Sequence, residues 1–77
     1  MARQGIKLKC YTAIVDVFDS RGRLAEVIMQ SGRNRNKEVR RRRFIRLLNR
    51  MDFGSKTLSK VRVRVCDRRE RQSLKKA

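Results

Sequence analysis

The chain opens its structured part with alternation. Ile6, Leu8 and Cys10 are separated by Lys7 and Lys9, the period-two pattern of a strand with one buried face. Tyr11, Thr12, Ile14, Val15, Val17 and Phe18 continue it with β-branched and aromatic residues, so residues 6–18 predict a strand. Around Ala13 to Val15 the alternation breaks. Either both faces are covered there or a bulge shifts the register.

"DSRG", residues 19–22, predicts a turn. Asp19 suits the first position of a type I turn, and Gly22 supplies a residue that tolerates positive φ. "RLAEVIMQ", residues 23–30, then returns as a second strand. A long helix competes with this hairpin. Leu8, Tyr11, Val15, Phe18, Gly22, Ala25 and Met29 fall at heptad-like spacing, and Leu24, Ala25, Glu26 and Met29 are helix formers. The β-branched content and the DSRG signal favour the hairpin.

"SGRNRN", residues 31–36, has no apolar anchor and predicts a loop, with Asn34 or Asn36 placed to cap a helix. A helix over residues 37–52 puts Phe44, Leu47, Leu48 and Met51 within an arc of about 100°, an ordinary buried stripe. Gly54 is the expected stop. "LSKVRVRVC", residues 58–66, is the cleanest strand. Val61, Val63 and Val65 form a core face, and Lys60, Arg62 and Arg64 form a row of cations. The tail, residues 67–77, reads as a basic C-terminal extension or a frayed helix. The expected architecture is α+β: residues 1–66 form one small ββαβ domain, a three-stranded sheet with one basic amphipathic helix, and the termini are flexible and basic.

Charge changes the picture from fold to partner. The 77 residues carry 23 Lys and Arg against 7 Asp and Glu, a net +16 with a pI near 11.7. Self-repulsion at this density opposes compaction, and a polyanion relieves it. Of those cations 16 are Arg, which grips phosphate bidentately and stacks on bases. That favours nucleic acid.

Other chemistry has little support. His is absent, so no side chain is tuned to act as a base near neutral pH, and a zinc site lacks its usual ligands. The carboxylates are dispersed and no Gly-rich phosphate loop occurs. The expectation is no enzyme, no metal, no cofactor and no small-molecule substrate. No apolar run reaches the roughly 18 residues of a membrane helix. The opening "MARQGIKLK" could be mistaken for a transit peptide, but it leads straight into the first strand and reads as part of the domain. With no signal segment, Cys10 and Cys66 are expected as free buried thiols in an intracellular, reducing compartment, a disulfide between them being the alternative.

The candidate contacts follow from the basic runs. Between Arg33 and Arg50 there are nine cations and one carboxylate, Glu38. A solvated helix face is usually self-neutralising, and this one is not. Arg33 and Arg35 lie in the loop. Arg42, Arg43, Arg46 and Arg50 share the helix side opposite the apolar stripe. Arg40 and Arg41 flank the stripe, with stems laid along it and heads reaching outward. Arginines near a helix start face a positive macrodipole, and a bound phosphate corrects that fault. Lys60, Arg62 and Arg64 on the last strand, with Arg68 and Arg69 in the tail, extend the surface. The expected function is RNA binding as a structural part of a ribonucleoprotein. A small ribosomal protein contacting rRNA phosphates and neighbouring proteins, cytoplasmic or organellar, fits best. The alternatives are a small DNA-binding regulator or phage or viral nucleic-acid-binding protein, and a basic module docking on an acidic protein surface.

Overall fold

The structure is a computed structural model in which residues 7–76 are described. Ile6, the start of the expected first strand, lies outside the described residues, as do the expected basic N-terminal residues 1–5 and Ala77.

Strands β1 (Lys9–Phe18) and β2 (Leu24–Asn34) form an antiparallel hairpin. Its turn is built as the sequence expects. Gly22 N–H donates to the Asp19 carbonyl at 3.0 Å, and Asp19 Oδ1 accepts from the Arg21 and Arg23 amides at 2.9 Å each. Gly22 has φ 79°, a backbone region that costs other residues a Cβ clash. The hairpin therefore wins over the competing helix. The break in alternation near Ala13 marks cover on both faces, since Tyr11, Thr12 and Ala13 are all buried. The bulge sits later, between Val17 and Phe18.

The expected loop over residues 31–36 is corrected. β2 runs on through "SGRN", pairing Ser31 with Thr12 and Asn34 with Lys9. An edge strand bonded to a partner on one side needs backbone hydrogen bonds there, not apolar side chains.

Helix α1 (Lys37–Asn49) starts at Asn36, whose Oδ1 accepts from Val39 N–H at 3.0 Å. It ends earlier than expected, at the cap residue Arg50, whose N–H bonds the Leu47 carbonyl at 3.1 Å. Gly54 is not its stop. Asp52 Oδ1 takes the Gly54 amide at 2.9 Å and builds a separate turn, with Gly54 at φ 61°.

The single expected strand over 58–66 is two short ones, β3 (Thr57–Leu58) and β4 (Arg62–Val65), both antiparallel to the second edge of β1. Between them Ser59 interrupts the ladder. Its hydroxyl accepts from Asp16 N–H and its own N–H donates to the Asp16 carbonyl, each at 3.0 Å. The tail folds as helix α2 (Arg68–Lys76), so the domain has four strands and two helices. None of the described helices is long and apolar enough to cross a membrane.

Register decides the layers, because side chains alternate across a sheet. Ala13 and Val15 point the same way as their partners Gln30, Ile28 and Val63. On that face lies α1, and the core is Ala13, Val15, Phe44 and Leu48, with Ile28, Phe53, Val61 and Val63 packed against it. Leu47 and Met51 do not join it; they are 37% and 42% exposed. The buried row of α1 is Arg40, Phe44 and Leu48, spaced by four. A helix laid on a small sheet buries one narrow row, and Leu47 falls beside it. Leu8 and Val65 are also exposed, against the alternation that placed them inward.

The free-thiol expectation is overturned. Cys10 and Cys66 form a disulfide across a sequence separation of 56. The ladder pairs Tyr11 with Val65, and Cys66 N–H bonds the Cys10 carbonyl at 3.0 Å, so the next residues of both strands are side by side.

Two measurements test the packing. Reduction of Cys10–Cys66 should cost about 4 kcal/mol on a loop-entropy account, read from the guanidinium midpoint with and without reductant. An unmoved midpoint would show that the cross-link contributes nothing. Phe44→Ala should cost about 3–5 kcal/mol in the same assay, since it empties the fully buried centre.

Candidate nucleic-acid interface

The surface is built on α1. Arg42, Arg43 and Arg46 stand on the exposed side and, with Val39, line an open hollow of about 200 Å³. Their spacing explains the grouping. Positions 39, 42, 43 and 46 are neighbours at i, i+3, i+4 and i+7 on a helix. No carboxylate lines this hollow, and none of the three arginines has an acidic partner among the described residues.

Other candidate cations have different fates. Arg41 is paired with Glu38 one turn back. Arg62 bonds both oxygens of Asp16, at 3.1 and 3.2 Å. Arg64 pairs with Glu70 at 2.7 Å. The expected row of free cations on the last strand is thus reduced to Lys60, which is exposed in the Ser59–Val61 interruption. Arg35, Arg50 and Arg69 are exposed singly.

Arg40 departs most from expectation. Its head does not reach outward; the residue is 5% exposed. The guanidinium lies over β2, where Nη2 donates to the Gln30 carbonyl at 2.7 Å and to Gln30 Oε1 at 2.9 Å, while Nε has no partner. Gly32 makes room, because a Cβ there would stand 3.0 Å from Arg40 Nη1. Burial, and after it the charge of Arg43, lower the Arg40 pKa, though an arginine stays cationic. A signal was present in the sequence. At about 100° per residue Arg40 falls about 40° from Phe44, inside the apolar arc rather than at its border.

A second group gathers at the disulfide end of the sheet. Arg33 of β2 and Arg68 of α2 come together there with Arg71 and Gln72. Arg71 was not among the expected contacts. Its placement depends on α2, and the signal for α2 is "DRRE", residues 67–70. That is a capping box: Glu70 N–H donates to Asp67 Oδ1 at 2.9 Å and Asp67 N–H donates to Glu70 Oε1 at 3.2 Å.

Glu70 also docks α2 on the sheet. Its Oε2 accepts from the Thr12 hydroxyl and from Ser31 Oγ at 2.9 Å, and those two hydroxyls lie 2.6 Å apart. Register places Thr12 and Ser31 on the face away from α1, so α2 covers the opposite side. The hydrogen bond from Thr12 is the main cause that holds the Glu70 carboxyl down to about 2, with the Asp67 amide, Ser31 and Arg64 adding to it.

No protein-family model, no curated protein and no solved structure matches this chain.

Glu70 gives a pH test. Its folded pKa lies below the ordinary 4.5, so its contribution is fully present above about 4.5 and is lost as pH falls towards about 2. Glu70→Gln should lower stability at pH 7 by about 1–2 kcal/mol, the scale of charged hydrogen bonds at a partly exposed site. It should also flatten the acid limb of the stability curve relative to wild type. Thermal unfolding from pH 2 to 7 measures both; parallel curves would mean that Glu70 is not bonded as described.

Proposed function

We propose that this protein binds structured RNA through backbone phosphates, as a structural component of a ribonucleoprotein, with a small ribosomal protein contacting rRNA as the best-fitting case. The hollow ringed by Arg42, Arg43 and Arg46 carries the reading. Three guanidiniums converge on one concavity with no internal counter-charge. Holding like charges together is unfavourable, and a phosphate there reverses the sign of the interaction.

The chemistry of the surface supports backbone and shape recognition over base reading. Bidentate Arg contacts to phosphate position a protein on a nucleic acid without reading sequence. The same face offers only Asn49 as an uncharged polar reader of base edges, which a sequence-specific DNA helix needs in greater number. Double-stranded RNA is recognised by shape and by its phosphates and 2′-hydroxyls. Phe44 and Leu48 hold α1 to the sheet and so fix the surface in place. The reading includes no catalytic role and no cofactor.

Binding of an rRNA hairpin should weaken steeply with salt, each phosphate contact adding about 0.7 to 0.9 to the slope of log K against log[salt]. Arg42→Gln, Arg43→Gln and Arg46→Gln together should reduce that slope by about 2 with folding unchanged by circular dichroism. A wild-type slope near one, or a triple variant that binds like wild type, would sink the proposal. Preference for a DNA duplex of equal length would shift the partner from RNA to DNA.

A further inference from the structure

The second basic group has a form of its own. Arg33, Arg68, Arg71 and Gln72 line an open hollow of about 410 Å³. It adjoins another of about 360 Å³, which shares Arg33 and Arg71 and adds Lys9. Two elements distant in sequence supply these cations, so they meet only in the folded chain. No carboxylate lines either hollow. The nearest in sequence are Asp67, which accepts from the Glu70 amide, and Glu70, which bonds Thr12, Ser31 and Arg64; neither pairs with Arg68 or Arg71.

A solvated helix face is the plain alternative, and two features set this group apart. The helix is anchored, through Glu70 on the sheet and through its capping box, and the disulfide at Cys66 lies two residues before Arg68. Its cations are therefore held in place rather than carried on a loose tail, and little ordering remains to be lost on binding. The group also faces away from the first surface. α1 packs on the Ala13–Val15 side of the sheet, while Arg33 pairs in register with Cys10, on the Thr12 side that α2 covers.

We infer that Arg33, Arg68 and Arg71 form a second phosphate-gripping surface, and that the chain bridges two RNA backbone segments, one on each face of its sheet. This rests on the RNA-binding reading above and adds to it a second site and a geometry. One contact surface would hold the protein on RNA; two opposed ones let it tie segments together while its charge screens their mutual repulsion.

The test counts duplexes per chain. Short RNA duplexes carrying two different fluorophores are mixed with the full protein, and stoichiometry is read by mass photometry and two-colour coincidence. Wild type should hold two duplexes per monomer. Arg68→Gln with Arg71→Gln should hold one, with a salt slope lower by about 1.5 from the two lost contacts. Both residues are exposed and make no described side-chain bond, so an unchanged melting temperature is expected for this variant. Arg21→Gln with Arg23→Gln, an equal charge loss at the hairpin turn, should still hold two. One duplex per wild-type chain, two on the Arg68/Arg71 variant, or equal loss in the turn variant each overturns the bridge while leaving the α1 reading intact. Failure of wild type to bind any duplex overturns both.

Discussion

Strand β1 is hydrogen-bonded along both edges, to β2 on one side and to β3 and β4 on the other, and each of those strands pairs with β1 alone. It is also covered on one face by α1 along Ala13 and Val15 and on the other by α2 at Thr12. Its apolar residues therefore carry a burden that no other element shares. Ala13, Val15 and Val17 are fully buried, and the rest of the core is placed by contact with them. A chain this short has one such centre. The disulfide then ties the start of β1 to the end of β4, a covalent supplement to a core of modest size.

The scarcity of acid shapes everything outside that centre. Asp19, Asp52 and Asp67 are engaged in turns and a cap, Asp16 and Glu38 in ion pairs, and Glu70 in docking α2. Those tasks absorb Arg41, Arg62 and Arg64 and little else. Arg42, Arg43 and Arg46 of α1, and Arg68 and Arg71 of α2 with Arg33, are left in two groups. Arg40 is the exception, a buried charge held by Gln30 without a carboxylate partner. Such a group is costly unless every donor is met, and its Nε is not. The fold accepts that cost where Gly32 leaves room for the guanidinium against β2.

Parts of the candidate site were legible from residue order alone. Arg42, Arg43 and Arg46 lie opposite Phe44 and Leu48 by helical geometry, and the structure places them so. Arg40 lies within the arc that Phe44, Leu47, Leu48 and Met51 span, so its angle around the helix decides its burial although its charge suggests the border. Arg62 and Arg64 are spent on Asp16 and Glu70 for a different reason. Strand alternation tells which side a residue points to, but not which acid stands on the neighbouring strand. Arg71 takes its place from the capping box in "DRRE", which starts α2 where a basic extension or frayed helix was expected.

By itself the sequence determined local structure: the DSRG turn, the Asn36 cap, the strand character of residues 9–18 and the two sides of α1. Each depends on contacts within a few residues, which the chain order specifies directly. Tertiary structure alone decided the pairing of Cys10 with Cys66, the extension of β2 through a polar stretch, the splitting of the last strand at Ser59, and which arginines remain unpaired. These depend on register and on residues far apart in the chain, from Thr12 with Ser31 to Asp16 with Arg62 and Thr12 with Glu70. A one-residue slip in a strand reverses every such assignment; the DSRG turn fixes the register of β2 on β1, but β4 has no such turn to β1.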